Sequence, residues 1–125
     1  MIAIVLGTKA ELIKTIPVMK ELERKKMPYT LIHSGQHAIE NMCYLFHIRK
    51  PDIVLTLPPT NGSKFFAKVH RGLAWSVALI PKIRCALRKI PNLRWVLYHG
   101  DTMTTAAAAI ASSKLLNPFK AYKSC

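Results

Sequence analysis

Tyr98-His99-Gly100-Asp101-Thr102-Met103-Thr104-Thr105 follows an apolar run and opens an alanine-rich stretch. The change from a strand-like run to a helix-forming run, with Gly, Asp and Thr between, reads as a strand-to-helix turn at the carboxyl edge of a parallel sheet. Such a turn brings a carboxylate, several hydroxyls and a helix N-terminus to one place, where a polar or anionic ligand can be held. The same residues also cap helices well for purely structural reasons, so local chemistry leaves both readings open.

Working outward, the other elements give this turn its setting. Ile2 to Leu6 is an unbroken aliphatic run ending at Gly7-Thr8, the profile of a strand buried on both faces. Ala10 to about Lys25 carries Leu12, Ile13, Ile16, Met19 and Leu22 at helical spacing, with Glu11 in the first turn and Pro17 expected to bend the helix. Tyr29 to His33 reads as a second strand leaving through Ser34-Gly35-Gln36-His37. Ala38 to Phe46 reads as a short helix, and Ile53 to Thr56 as a third strand. Pro58 to Ser63 is a loop by composition. From Ser63 to Ile90, Phe66, Val69, Leu73, Val77, Ile80, Ile83, Leu87 and Ile90 keep three-and-four spacing, and Pro81 is expected to kink or split that helix. Asn92 to Tyr98 is the fourth strand and Thr102 to Leu116 the last helix. Strands and helices alternate, which predicts an α/β fold with a Rossmann-like parallel sheet, helices on both faces and a ligand crevice at the carboxyl ends of the strands.

At 125 residues the chain has the size of one domain. Its formal net charge is +13, and Ile53 to Gly100 holds eight bases (Lys64, Lys68, Arg71, Lys82, Arg84, Arg88, Lys89 and Arg94) and no acid. Such a balance attracts phosphates, nucleic acid or an anionic surface. It fits equally a solvated helix face, or a piece parted from an acidic remainder. No stacking aromatics interleave the bases as single-strand nucleic-acid platforms require, so no nucleic-acid partner is assigned. Cys43, Cys85 and Cys125 are odd in number and widely spaced, which points to a reducing, cytoplasmic setting. The apolar run Leu73 to Ile80 is too short to span a bilayer.

With this topology three loops converge: Gly7-Thr8-Lys9, Ser34-Gly35-Gln36-His37 and His99-Gly100-Asp101-Thr102. Each has a glycine through which backbone N–H groups can approach a ligand, and Lys9 and Lys14 bring positive charge to the first helix start. A nucleotide-like diphosphate fits this set, although neither G-x-G-x-x-G nor a P-loop is written here. His33 and His37 lie four apart across a strand and a loop, which is weak ground for zinc, and no metal or other cofactor is expected. His47 and His70 read as surface or satisfied residues, and Cys43 as core.

Gly7-Thr8-Lys9-Ala10-Glu11-Leu12-Ile13-Lys14, then Pro17, Ser34-Gly35-Gln36-His37 and His99-Gly100-Asp101-Thr102 before an alanine-rich helix, together resemble the N-terminal part of the non-hydrolysing UDP-N-acetylglucosamine 2-epimerases. The resemblance runs from residue 1 to about residue 120. It implies half of a GT-B-like two-domain fold, with a UDP-sugar in the cleft and interconversion of UDP-GlcNAc and UDP-ManNAc by UDP elimination and re-addition. It further implies that Asp101 is the catalytic or substrate-contacting carboxylate, that Lys14 contacts substrate, and that Lys9 stands where the family has a phosphate-binding arginine. Thr8, Gln36 and His37 fall in the substrate-binding loops. A homodimer is implied for a complete protein.

Two departures accompany the resemblance. Lys9-Ala10 replaces the usual Arg-Pro, and a lysine lacks arginine's bidentate fork. The chain also ends at Tyr122-Lys123-Ser124-Cys125, before the family's His-x-Glu-Ala-Gly-Leu-Arg segment and second domain. The expectation is an incomplete N-terminal domain, inactive alone and completed by a downstream portion or a separate subunit. The other classes kept open are a non-catalytic nucleotide-sugar-binding or partner-docking module and a basic nucleic-acid-binding domain.

Overall fold

The computed structural model describes residues 1–56 and 65–113, with the side chains of 65–71 outside the description. In chain order the elements are β1 (Ile2–Leu6), α1 (Lys9–Arg24), β2 (Tyr29–His33), α2 (Glu40–Leu45), β3 (Ile53–Val54), α3 (Phe65–Arg88), β4 (Trp95–Tyr98) and α4 (Met103–Ser112). The strands form one parallel sheet in the order β3-β2-β1-β4, with Ile2 opposite both Tyr29 and Trp95. The expected α/β fold with a parallel sheet is therefore present.

The pleat of β1 explains the two layers. Ala3 and Val5 face α3 and α4, packing with Leu79, Ile83, Leu87 and the alanines Ala107, Ala108 and Ala111. Ile4 and Leu6 face the other way, onto Leu12, Ile16 and Met19 of α1 and Ile39 and Cys43 around α2. Both faces of β1 are thus covered, as its unbroken aliphatic run requires. Each fully buried Leu or Ile in these layers contributes about 1.5–3 kcal/mol of transfer free energy. On the other side of the sheet, alanines along α4 let that helix approach α3 closely.

Several boundaries differ from those expected. α1 passes through Pro17 and α3 through Pro81 without interruption, so Pro81 does not split the helix. Ile13 is 47% exposed, on the flank of the buried stripe and not within it. β3 pairs over two residues only, and Leu55 extends the contact by donating its N–H to the His33 carbonyl at 2.9 Å. β4 starts at Trp95 and not at Asn92, because Asn92 sits at φ 52° in the left-handed region and belongs to the preceding turn. The expected loop at 58–63, the start of the third helix at 63–64 and the extension of the last helix to Leu116 lie outside the described residues. So do the side chains of Lys64, Phe66, Lys68, Val69, His70 and Arg71, and Cys125.

Among the described residues β4 is an edge strand whose apolar side chains are left exposed. Trp95 is 69% exposed, and Leu97 and Tyr98 are also exposed. Among the described residues no helix is long and apolar enough to cross a membrane.

Candidate functional site

The parallel sheet places the ends of β1, β2 and β4 at one rim, and hydrogen bonds join the three loops there. The β1 and β2 loops meet where the Ser34 N–H donates to the Leu6 carbonyl at 2.9 Å and the His37 N–H to the Gly7 carbonyl at 3.0 Å. The β2 and β4 loops meet in a ring of side chains. Thr104 Oγ1 donates to Gln36 Oε1 at 2.8 Å, Ser34 Oγ lies 2.8 Å from Thr104 Oγ1, and the Gln36 N–H reaches Ser34 Oγ at 3.3 Å. Thr56 closes the outer side by donating to the Ser34 carbonyl at 2.6 Å.

Glycine is required at two of these places. A Cβ on Gly7 would fall 2.1 Å from Thr104 Oγ1 and 2.5 Å from Ser34 Oγ. Gly35 has φ +87°, and a Cβ there would fall 1.8 Å from the Thr56 carbonyl oxygen.

The third junction runs through Glu11. Thr8 caps α1, accepting from the Glu11 N–H, and Oε2 of Glu11 accepts in return from the N–H groups of Gly7 at 2.6 Å and Thr8 at 3.1 Å. Its other oxygen, Oε1, accepts from the hydroxyls of Thr102 and, at 3.0 Å, Thr105. One carboxylate, 3% exposed, thereby ties the start of α1 to the start of α4. From its place in the sequence Glu11 has only a favourable position on the helix dipole. The spacing Thr8-x-x-Glu11 is a capping-box signature and was the available signal, although it says nothing of the contacts made about ninety residues away.

This geometry revises one expectation. The Gly7 and Thr8 amides do not stand free for a ligand phosphate, because the protein's own carboxylate occupies them. Those two amides are closed to an anion at the first loop, and the two lysines expected there are exposed. Lys9 and Lys14 are exposed, as are Asp101 and His37, while Gln36 is half-buried and Thr8 is buried under its own cap. Lys14 borders an open groove of about 180 Å³ with Thr15, Val18, Leu97, Tyr98 and His99. Lys14 and the β4 loop thus share one depression, and Asp101 lies two residues beyond His99 in the same turn. Gln36 and His37 lie on the β2 side of the same rim, held by the contacts just described.

His33 is one of the two histidines set four apart in sequence. Its ring is buried at 2% exposure with neither nitrogen in hydrogen-bond geometry, although the Gly7 and His37 backbones lie near it, while His37 is exposed. Among the described residues no group of three or more His, Cys, Asp or Glu side chains could hold a metal ion. Burial pushes the His33 pKa below its ordinary value of 6.5, with Glu40 and Glu11 opposing the shift. A histidine whose folded pKa is depressed binds its proton more readily when unfolded. Its contribution is complete above about pH 6.5 and is lost as pH falls from there through the folded value. Urea midpoints measured from pH 7.5 to 5 should fall more steeply for the natural chain than for His33→Gln. Parallel curves would remove His33 from the acid response. Cys43 is buried as expected, and burial raises its thiol pKa, which makes it a poor nucleophile.

No protein-family model matches the chain. A UDP-N-acetylglucosamine 2-epimerase of Methanococcus maripaludis is 38% identical over 118 residues, covering 91% of this chain and 29% of the relative. The enzyme of that name from Methanocaldococcus jannaschii is 32% identical over 114 residues, covering 91% of this chain and 29% of its own length. A Listeria monocytogenes crystal structure assigned provisionally to the same activity superposes with a TM-score of 0.69 at 25% identity, covering 94% of this chain and 28% of that one. The chain therefore spans between a quarter and a third of the length of the proteins it matches.

Proposed function

We propose, starting from this homology to part of the UDP-N-acetylglucosamine 2-epimerases, that the chain forms one wall of a UDP-sugar site. In a complete protein that site interconverts UDP-GlcNAc and UDP-ManNAc. The observation that carries the reading is the meeting of the β1, β2 and β4 loops at a single rim, with Lys14 and the β4 loop bordering one groove. Elimination removes the C2 proton and breaks the bond between C1 and the UDP oxygen, leaving a glucal. Return of UDP to C1, with delivery of a proton to the opposite face of C2, completes the epimerisation. Asp101 is assigned to the C2 proton or to direct substrate contact. Lys14 and Lys9 bring positive charge to the diphosphate, whose departure they favour by offsetting its developing negative charge. Thr8, Gln36 and His37 complete the contacts on this wall.

Catalysis of this kind needs groups on both sides of a cleft. We assign the other side to polypeptide corresponding to the remaining length of the relatives, in a second domain on the same or a separate chain. The uncovered β4 edge supports this, since an apolar edge strand is a place where further structure adds. For a homodimer, the support is a set of exposed apolar residues, Leu73 and Val77 on α3 with Met103 and Ile110 on α4.

Titration of the purified chain with UDP-GlcNAc, followed by calorimetry, tests the wall. Saturable binding that UDP competes away is expected, and Lys9→Ala with Lys14→Ala should weaken it by about tenfold or more, as loss of two charged contacts does. Binding unaffected by both changes would place the ligand elsewhere. Residues 1–125 alone should show no epimerisation, and turnover by them would refute the need for a second side.

A further inference from the structure

Lys9 and Lys14 stand in the first turns of α1 and Asp101 on the β4–α4 turn, about ninety residues of chain away, and their relative placement depends on whatever holds the start of α1 to that turn. Among the described residues, the contacts that join the first loop directly to the β4–α4 turn include those of a single buried carboxylate. Glu11 Oε2 accepts from the Gly7 and Thr8 N–H groups, and Oε1 from the Thr102 and Thr105 hydroxyls. Thr102 in turn caps α4 by accepting the Thr105 N–H at 3.3 Å. Gly100 packs on the same group, since a Cβ there would lie 3.3 Å from Oε1. Asp101 lies between Gly100 and Thr102 in sequence, so both of its neighbours rest on Glu11.

We propose that Glu11 is a positioning residue for the UDP-sugar site. Its carboxylate fixes the turn bearing Asp101 against the loop bearing Lys9 without itself touching substrate. This deepens the function proposed above and rests on it for the ligand. All four acceptor contacts of the carboxylate are spent inside the protein, and its 3% exposure keeps it from the cleft surface. Charge and tether act in opposite directions here. A buried negative charge beneath a diphosphate opposes binding, whereas the tether favours it by holding the cationic and anionic groups ready.

That opposition gives the test. In Glu11→Gln the amide keeps an acceptor for the Gly7 and Thr8 N–H groups, and the two threonine hydroxyls can turn to accept from its NH2. The tether survives and the charge goes. In Glu11→Ala both go. Thr105→Ala removes one Oε1 donor and leaves the β1 side intact, which serves if Glu11→Ala fails to fold. Two measurements on the 125-residue chain are made for each variant: UDP-GlcNAc affinity, and amide hydrogen exchange at residues 100–105 against strands β1 and β2. Positioning predicts that Glu11→Gln binds as tightly as the natural chain or more so, and that Glu11→Ala binds about tenfold or more weakly. It also predicts that exchange protection falls in 100–105 in Glu11→Ala and Thr105→Ala while β1 and β2 keep theirs. Equal affinity in Glu11→Ala, or protection lost evenly across the sheet, would overturn the proposal in favour of a purely structural carboxylate. If the natural chain binds no UDP-GlcNAc, the functional reading falls, and the exchange pattern alone still decides whether Glu11 holds the turn.

Discussion

Gly35→Ala is expected to destabilise the chain by on the order of 3 kcal/mol or more, through overpacking against backbone and a left-handed conformation. The new Cβ would lie 1.8 Å from the Thr56 carbonyl oxygen and 2.6 Å from its carbon, at a φ of +87°. Backbone atoms cannot turn aside as a side-chain tip can, so the β2 loop would have to part from the end of β3. Against a typical stability of roughly 5–15 kcal/mol, such a loss leaves a large unfolded fraction under mild denaturant. Gly72→Ala is the control. Its Cβ would meet only the tip of the Met103 side chain, at 3.2 Å, and alanine favours the interior of α3 by up to about 1 kcal/mol. Urea unfolding should place the two variants on opposite sides of, or one far below and one close to, the natural midpoint. A Gly35→Ala midpoint near the natural one would mean that the loop does not keep this conformation in solution.

Asp101→Asn, introduced into a protein that carries the completed cleft, is expected to lower turnover by about 100- to 10,000-fold, the range for loss of a general acid–base group. Asp101 is exposed at the rim, and no hydrogen bond or ion pair binds it to the described residues, so the isosteric amide should leave the fold intact. Affinity for UDP should change little, because the diphosphate contacts are assigned to Lys9 and Lys14. Steady-state turnover and UDP inhibition measured together separate the two effects. Turnover equal to that of the natural protein would remove Asp101 from the chemistry.

The layered architecture was legible because two kinds of pattern agreed. The aliphatic run of β1 asked for cover on both faces, and α1 and α3 supplied apolar stripes to give it. Where expectation and structure part, the cause is physical. The strand pattern of Asn92 to Tyr98 points to a buried strand, yet Trp95 and Leu97 are exposed because among the described residues nothing packs beyond β4. Pro81 is expected to kink or split its helix, and of these the split does not occur, since the helix continues through it. The three loops of the candidate site were found from glycine, hydroxyl and charge at strand ends. Their joining was not, since the contacts from Glu11 to Thr102 and Thr105 span 91 and 94 residues and leave no mark on either local sequence.

The strand order carries a consequence for how the chain is made. β1 lies inside the sheet, with β2 on one side and β4 on the other, and its partners there are residues 29–33 and 95–98. The first pairing can close once the intervening helix has emerged from the ribosome, whereas the second waits until nearly all the described chain has been synthesised. During that interval one side of β1 is an open edge, and the Gly7–Thr8 loop has Glu11 but not yet Thr102 or Thr105. The site is therefore assembled late, by long-range closure of the kind that slows folding and leaves nascent chains open to association.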